Sequence, residues 1–427
     1  MCNRLVCNDL PIIAASAKGS VPRPFLRTRV AQPFQTSLLS RVPLMEMQGS
    51  LGIIALVVDN WQGLVTVRHH VLRRLAQRFP VEWVEPALNW REFVRPSQPA
   101  FFARDRWSEP SPSLEVLAAG FRHPVLHRPR WAANASTRSR LALARRRLLQ
   151  RGAQRIALYI WRDEFAEALD LVPHDFSCYH IDDEYSFSDL DLPNSAAEID
   201  LIRRVDQVIV HSRTLFEKKA GLNPNTALVP NGADYSLFAT PRPPASAELA
   251  SIPHPRIGYT GVVKKQLDLG LLVRLAMARP QWSFVLVGPV LNVDGKHEEL
   301  ATLGRLPNVH LLGHQPQSEM PGYVQHFDVC LLPYDLTGYT RYIFPLKLHE
   351  YLAAGRPTVS SPVDAVRDFA DVVSLANTDA EWLAAIEAGL ERREDPTLIE
   401  ARRAVARAYD WDLLVEKIAR LFPERAA

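Results

Sequence analysis

Short apolar runs of strand length, separated by helix-like or turn-forming segments, constrain the fold of this chain more than any other feature. They occur in two series. The first comprises Leu51 to Val58, Ile156 to Ile160, Cys178 to Ile181 and Gln207 to Val210. The second comprises Arg256 to Thr260, Ser283 to Val287, Val309 to Leu312, Val329 to Leu332 and Thr358 to Ser360. Strands that are apolar on both faces are typical of parallel sheets covered by helices, so we predict two α/β domains.

Helical patterns accompany these runs and complete the alternation expected of βα units. They cover Leu64 to Phe79, Leu267 to Ala278, Ser318 to His326, Leu346 to Ala354 and, near the end of the chain, Pro396 to Phe422. Two domains also agree with the length of 427 residues, which exceeds what one hydrophobic core usually supports. We predict an N-terminal domain at 48–238, a Pro- and Ala-rich linker at 239–255, a C-terminal domain at 256–400 and, at 401–427, a helix packing at the domain junction.

The first 47 residues show no clear periodicity and predict a disordered extension or a misassigned start, since Met45 and Met47 lie just before the first strand. No apolar run reaches the roughly 20 residues that a membrane-spanning helix needs. The four cysteines lack the spacing of metal ligands or of a disulfide framework. We therefore expect a cytoplasmic protein.

Basic residues are concentrated in one stretch, since Val116 to Trp161 contains no acidic residue. Its arginines are Arg122, Arg128, Arg130, Arg138, Arg140, Arg145, Arg146, Arg147, Arg151 and Arg155. A solvated helical face would explain part of this 122–155 segment. Interleaving with Trp131 and several leucines also suits peripheral binding to anionic lipid headgroups or to a phosphorylated acceptor. We do not expect nucleic acid as a partner, because no recognisable nucleic-acid module accompanies the patch.

The cleft between the domains is the predicted ligand site, because ligands of open α/β sheets bind beyond the carboxyl ends of the strands. A helix is expected there, with Pro345 in its first turn and Gly355 at its C-terminal cap. Its N-terminus and Lys347 suit a pyrophosphate, and Glu350, on the same face, suits ribose hydroxyls. The alternative is an exposed ion pair between Lys347 and Glu350 with little energetic value.

With its surroundings, this helix resembles the donor-binding half of GT-B glycosyltransferases, specifically the large retaining group called family 4 or group 1. Members carry a Glu, seven residues and a second Glu that opens a motif of the type E-A-M-A-x-G-x-P-V. The segment Glu350 to Thr358 matches from the second Glu onward, whereas Tyr342 stands where the first is expected. The sequence is most similar to the branch of teichuronic-acid and cell-surface polysaccharide enzymes. Val229 to Phe238 also resembles the family's P-N-G-V-D-x-x-x-F stretch.

The resemblance implies a GT-B fold, in which two Rossmann-like domains with parallel sheets face a central cleft, and a nucleoside-diphosphate sugar in the C-terminal domain. Free amides at the turn after Ile257 to Gly261, together with a lysine, would neutralise the diphosphate, so neither metal nor cofactor is expected. The backbone near His314 and Gln315 would border the base. The predicted donor-binding residues are Gly261, Lys264, Lys265, Gly288, His314, Gln315, Leu346, Lys347 and Glu350.

The resemblance places the acceptor in the N-terminal domain, near Trp61 and Gly63, and Tyr342 is a further predicted residue of the cleft. Trp61 would stack on a sugar ring or plug the edge of the domain. His180, Asp182 and Asp183 follow or end another strand and are the catalytic candidates: an Asp to orient or deprotonate the acceptor hydroxyl, and His180 to contact the donor sugar. Adjacent carboxylates at a strand end also serve simply as helix caps.

The implied function is transfer of a sugar, with retention, from a nucleoside diphosphate to a glycan or lipid-linked acceptor in cell-surface polysaccharide biosynthesis. Peripheral attachment to the inner face of the membrane would suit that role. Two other functions are compatible with the same fold. One is a nucleotide-sugar 2-epimerase, although it relies on additional carboxylates beside the sugar. The other is a non-catalytic GT-B subunit that binds a nucleotide or a glycan.

Overall fold

The structure is a computed structural model, and it describes residues 51–87, 112–118, 130–184 and 194–423. The prediction for the first 47 residues and the side chains of Arg122, Arg128 and Arg130 lie outside the described residues. In the described part, the chain forms two parallel sheets covered by helices. The predicted α/β class with two parallel-sheet domains is therefore confirmed.

The N-terminal sheet has seven parallel strands within the described residues, in the order β3-β2-β1-β4-β5-β6-β7. Their bounds are β1 Leu51–Leu56, β2 Val81–Val84, β3 Leu114–Leu117, β4 Arg155–Ile160, β5 Phe176–Ile181, β6 Gln207–Val210 and β7 Thr226–Leu228. The central strands are buried along almost their whole length, as continuous apolar runs require. The runs did not reveal β2, β3 and β7, which are only three or four residues long and carry polar residues such as Glu82.

Helices connect these strands on both faces of the sheet. The N-terminal helices are α1 Val67–Leu75, α2 Arg130–Gln150, α3 Ala168–Leu171, α4 Ala196–Arg204 and α5 Arg213–Lys219, with 3-10 turns at Asp163–Phe165 and Ala220–Leu222. Two short helices, α6 Tyr235–Ala239 and α7 Ala247–Ser251, precede the second sheet. The predicted linker at 239–255 therefore contains a helical turn, which Ser246 caps by accepting from the amide of Leu249.

The C-terminal sheet has six parallel strands within the described residues, in the order β10-β9-β8-β11-β12-β13. They are β8 Arg256–Thr260, β9 Ser283–Val287, β10 Val309–Gly313, β11 Val329–Leu332, β12 Thr358–Ser360 and β13 Ser374–Leu375. The helices are α8 Leu269–Ala278, α9 His297–Leu303, α10 Met320–Val324, α11 Leu346–Ala353, α12 Asp364–Arg367, α13 Asp379–Glu391, α14 Pro396–Ala408 and α15 Trp411–Ala419, with a 3-10 turn at Gln317–Glu319.

The terminal helix predicted from Pro396 to Phe422 is wrong as one element, because it is divided into α14 and α15 at Tyr409 and Asp410. Tyr409 is the C-cap of the first helix, and Asp410 caps the second, since its carboxylate accepts from the amide of Asp412. At the break, the amide of Ala233 donates to the carbonyl of Tyr409 at 3.1 Å. The division lets α15 pack into the core of the N-terminal domain, where Trp411 stacks on His70 of α1.

Within the described residues, no helix is both long and apolar enough to cross a bilayer.

Candidate active site

Two glycines form the floor of the candidate site, at the carboxyl ends of the adjacent strands β8 and β9. Gly261 and Gly288 have φ values of 120° and 147°, which side-chain-bearing residues rarely adopt. A Cβ on Gly288 would overlap the carbonyl of Gly261. A Cβ on Gly261 would lie 2.8 Å from Cε of Lys347, so the lysine side chain crosses directly over this backbone. The close approach therefore requires glycine at both positions.

The expectation of free amides at the turn after β8 is wrong for Gly261, and the amide of Gly288 is also paired. The amide of Gly261 donates to the carbonyl of Val287 at 2.8 Å, and the amide of Gly288 donates to Gly313 at 2.7 Å. The sheet hydrogen bonding thus continues past the ends of the strands. Positive charge at the site comes instead from lysine side chains.

Lys347 lies in the first turn of α11, which begins at Leu346 after Pro345. Its ammonium group donates to the hydroxyl of Tyr334 at 3.2 Å and lies 5.1 Å from the ring centre of Tyr259. Burial opposes the charge, but Tyr259, Tyr334 and Glu350 outweigh this effect and raise the pKa of Lys347 above its usual value. Lys347 therefore remains a cation within a partly buried, aromatic surrounding.

The two lysines after β8 differ in position. Lys265 is exposed, whereas Lys264 is half-buried. Burial, followed by the nearby charge of Lys347, lowers the pKa of Lys264, and Asp183 of the N-terminal domain opposes the shift. Lys264 and Lys347 are thus neighbouring like charges, an arrangement that an anionic ligand would relieve. Lys265 was predicted beside them and does not share this environment.

Glu350 lies one turn after Lys347 and is half-buried. Burial raises its pKa from the usual value to about 7; the charge of Lys347 and a hydrogen bond with Gln317 oppose the shift, and Asp234 adds to it. Neither Lys347 nor Glu350 is an exposed surface residue, so the alternative of a solvated ion pair does not describe them. Helix α11 presents a cation and a titratable carboxyl group in the same partly buried region.

The segment after β10 reaches α11 through Gln317, which the sequence analysis did not identify. The predicted residues His314 and Gln315 are half-buried at the same strand end, and the amide group of Gln315 donates to the carbonyl of Leu312 at 3.0 Å. Leu346 differs from its prediction, because it packs against the apolar core of the N-terminal domain. Its role in the structure is therefore contact between the domains.

The three carboxylates after β5 have three different sets of partners. Asp182 forms an ion pair with Arg68 at 2.8 Å, and Arg68 also pairs with Asp59 at 2.7 Å. Glu184 is fully buried and lies 3.3 Å from the ammonium group of Lys219. The buried pair fixes the end of this run in the domain interior, which positions the two preceding aspartates.

Asp183 makes a hydrogen bond across the two domains. It accepts from the hydroxyl of Tyr339, which follows β11 in the C-terminal domain, at 2.6 Å. Burial raises the pKa of Asp183, and the hydrogen bond from Tyr339 opposes the shift. Segments that follow the carboxyl ends of β5, β8 and β11 therefore meet at one place, around Asp183, Lys264 and Tyr339. Asp183 and Lys264 were predicted from the sequence, whereas Tyr339 belongs to no motif that would distinguish it.

The C-terminal domain matches a family of glycosyl transferases in sequence. The family described as Glycosyl transferases group 1 matches residues 254–391, which contain Gly261, Lys264, Lys347 and Glu350. This segment is similar to the group 1 glycosyl transferases. The chain is also 32% identical, over 233 residues, to the putative teichuronic acid biosynthesis glycosyltransferase TuaH of Bacillus subtilis (strain 168). That alignment covers 52% of this chain and 58% of TuaH, so the chain matches somewhat more than half the length of this relative.

Two solved structures have the same fold over most of the chain. A sucrose-phosphate synthase from Thermosynechococcus elongatus superposes with a TM-score of 0.63 at 18% identity, covering 87% of this chain and 98% of the other. Alr3699/HepE of Anabaena, in complex with UDP and glucose, superposes with a TM-score of 0.60 at 16% identity, covering 86% and 98%. The two parallel-sheet domains form the GT-B fold.

Several residues predicted to line the cleft of this GT-B protein are buried instead. His180 lies in the N-terminal core, where a ring nitrogen lies 2.7 Å from the hydroxyl of Tyr159 and the ring stacks on Trp161 at 4.2 Å. Burial lowers its pKa well below the usual value. The structure therefore gives no contact surface through which His180 would touch a donor sugar.

Trp61 is 3% exposed and packs edge-on against Trp83, with 5.1 Å between the ring centres. Trp61 therefore fills the edge of the N-terminal domain and does not present its ring for stacking on a sugar. Gly63 closes the adjoining turn, since its amide donates to the carbonyl of Asn60 at 2.9 Å. The loop after β1 is thus fixed by its own packing.

Tyr342 is the residue at which the chain departs from the family pattern, and it is 4% exposed. Although it belongs to the segment after β11, it packs into the apolar core of the N-terminal domain. The ammonium group of Lys218 lies 4.9 Å from its ring centre, and Ser212 donates to its carbonyl at 3.2 Å. The prediction of Tyr342 in an open cleft is wrong in this structure, because the side chain joins the domains.

Proposed function

We propose that this chain is a glycosyltransferase that moves a sugar from a nucleoside-diphosphate donor to a hydroxyl of a glycan or lipid-linked acceptor. The observation that carries the proposal is the pair Lys264 and Lys347 beside the glycine floor of a group 1 domain, with Glu350 on the same helix as Lys347. The similarity to TuaH supports a role in cell-surface polysaccharide biosynthesis. The bound UDP and glucose of the Anabaena protein support a nucleotide-sugar donor.

The diphosphate is the part of the donor that the two lysines would bind. Two ammonium groups that disfavour each other in the empty site become favourable partners for a diphosphate. As the glycosidic bond breaks, negative charge grows on the leaving phosphate, and lysines already in place stabilise it without reorganisation. Under this proposal the reaction needs neither a metal ion nor another cofactor.

Glu350 would accept hydrogen bonds from the ribose, and Asp183 would orient the acceptor hydroxyl. In a retaining transfer, the bond between the anomeric carbon and the phosphate oxygen breaks as the bond to the acceptor oxygen forms on the same face. The acceptor proton passes to the leaving phosphate. Tyr339 holds Asp183 at the meeting point of the domains, where an acceptor would approach the donor. We place this reaction in the cytoplasm, beside the inner face of the membrane.

One observation favours a second candidate, a non-catalytic GT-B protein that binds a nucleotide or glycan. The resemblance implies that the first Glu of the family pattern contacts the donor sugar. Tyr342 stands in its place and is buried between the domains. Such a protein would keep the lysine site for the nucleotide and lose the contact with the sugar. It would bind nucleoside diphosphates without turning over nucleotide sugars.

The test is a panel of UDP-, GDP-, TDP- and ADP-sugars, with detection of the released nucleoside diphosphate in the presence and absence of acceptor glycans. Acceptor-dependent release that disappears in Lys347→Met supports transfer. An isomerised donor sugar recovered without an acceptor would instead indicate an epimerase. Thermal stabilisation by a nucleoside diphosphate, without release from any donor in the panel, would overturn transfer in favour of the binding role.

A further inference from the structure

The arginines of α2 divide into two faces with different surroundings. Arg147 and Arg151 each approach the carboxylate of Glu82, which is fully buried in β2, at 2.9 Å. Arg140 is also buried and donates to the backbone carbonyl of Leu117 in β3 at 3.2 Å. These arginines attach the helix to the edge of the N-terminal sheet. They are structural and are not available to a ligand.

The opposite face of α2 carries Trp131, Arg138, Arg145, Arg146 and Leu149, and we call these five residues the outer face. Their spacing places them together on a helix of 3.6 residues per turn. Trp131 is 74% exposed and Leu149 is 37% exposed, both high for apolar side chains of this size. Among the described residues, none of the three arginines of the outer face forms an ion pair.

A groove of about 850 Å³ lies between the outer face and the segment 169–174, which comprises the end of α3 and the turn that follows it. The three arginines line one side of it, and Leu171, Val172 and Pro173 line the other. The acidic residue that lines it, Asp170, is already paired with Arg204 at 2.6 Å. The groove therefore combines an apolar wall with an excess of positive charge.

We propose that the outer face docks on the surface of an anionic phospholipid bilayer. Guanidinium groups match lipid phosphates in geometry and charge, and an exposed tryptophan is typical of the membrane interface. Free phosphate would use the arginines but would leave the exposure of Trp131 and Leu149 unexplained. The proposal rests on the proposed function only in its purpose, which is to hold the enzyme beside a lipid-linked acceptor.

The test uses the full chain with sedimented vesicles of equal parts phosphatidylcholine and phosphatidylglycerol, and with vesicles of phosphatidylcholine alone. We expect binding to the anionic vesicles at low salt and its loss at high salt, because salt screens surface charge. The triple variant Arg138→Gln, Arg145→Gln, Arg146→Gln should bind on the order of 100-fold more weakly, given about five-fold per basic residue. Trp131→Ala should weaken binding by a smaller factor.

The matched control is Arg305→Gln, Arg367→Gln, Arg392→Gln, which removes the same charge from exposed positions of the C-terminal domain. It should bind vesicles within about three-fold of the wild type, since its arginines lie outside the outer face. Equal binding by the two triple variants would overturn the proposal. So would binding to a nucleic-acid homopolymer, but not to vesicles, with the same dependence on the outer arginines.

Thermal stabilisation by a nucleoside diphosphate separates this proposal from the function proposed above. The outer-face variant should retain the stabilisation, which also shows that it is folded. A wild-type chain that releases nucleoside diphosphate in an acceptor-dependent manner but ignores anionic vesicles would leave the transferase intact and refute the docking surface. Vesicle binding without any release of nucleoside diphosphate would support the docking surface and refute the transferase.

Discussion

Substitution of Lys264 by methionine tests the donor site most directly, because the adjacent Lys265 provides a matched control. The two residues are chemically identical neighbours, yet only Lys264 lies close to Lys347 and Asp183. Methionine preserves much of the length of the side chain and removes the charge. Because the substitution is the same in both variants, a difference between them reflects the position of the lysine in the site.

The size of the effect follows from the interaction that is lost. A hydrogen bond to a charged group contributes about 1.5–3 kcal/mol, which corresponds to roughly 10- to 140-fold in affinity. Lys264→Met should weaken binding of a nucleoside diphosphate by that factor, and Lys265→Met should change it less than two-fold. Because the pKa of Lys264 is lowered in the fold, the charge is unfavourable in the empty protein. Lys264→Met should therefore not lower the melting temperature of the empty protein.

The assay is titration calorimetry with the nucleoside diphosphate that stabilises the wild type most in a thermal-shift screen. Nucleoside monophosphate serves as a second ligand, and the loss in Lys264→Met should be smaller for it, since it lacks the second phosphate group. Unchanged diphosphate affinity in Lys264→Met would refute the assignment. A loss of affinity that was equal in both lysine variants would show a general charge effect instead of a contact.

Two further predictions concern the remaining groups of the site. Tyr339→Phe removes the hydrogen bond to Asp183 and should slow transfer by roughly 10- to 140-fold, with the affinity for nucleoside diphosphate unchanged. Tyr334→Phe loses the contact with Lys347 and should weaken that affinity instead. Identical effects of the two variants would contradict the assignment. Glu350 has a pKa raised to about 7, so donor affinity should fall as the pH decreases from 8 to 6, when the carboxylate that accepts from ribose becomes protonated. Glu350→Gln should bind the donor weakly at every pH between 6 and 8. If its donor affinity fell with decreasing pH as in the wild type, the pH dependence would belong to another group.

The contact between Tyr342 and the N-terminal core affects how the site is assembled. Ser212 and Thr214, at the start of α5, both donate to backbone carbonyls of the 341–342 segment, at 3.2 Å and 3.1 Å. Tyr339 lies two residues before these carbonyls, in the same stretch of chain after β11, and reaches Asp183. The segment that supplies the cross-domain hydrogen bond is therefore held by the N-terminal domain, although its sequence belongs to the C-terminal one.

Local patterns in the sequence were enough to predict the fold class and nine of the thirteen described strands, whereas β2, β3, β7 and β13 were missed. The strand Gln207–Val210 and the strands β8, β9, β11 and β12 have the bounds that the apolar runs predict. Continuous apolar character arises because both faces of a parallel strand are covered, so the information lies within each run. The glycines after β8 and β9 and the helix with Lys347 and Glu350 were also identified from short motifs. These features depend on neighbours in the chain.

Contacts between distant segments were decided only by the tertiary structure. Sequence did not distinguish Lys264 from Lys265, or the arginines of α2 that bind Glu82 from those of the outer face, because burial depends on what packs opposite. The hydrogen bond from Tyr339 to Asp183 joins residues 156 positions apart. The sequence by itself determined the two parallel sheets, because the periodicity of apolar residues is a local property. It also determined the turn at Gly261 with a lysine nearby, because the backbone freedom of glycine is local as well. Which side chains meet between the domains, and that Tyr342 is buried there, is a long-range property that only the folded chain defines.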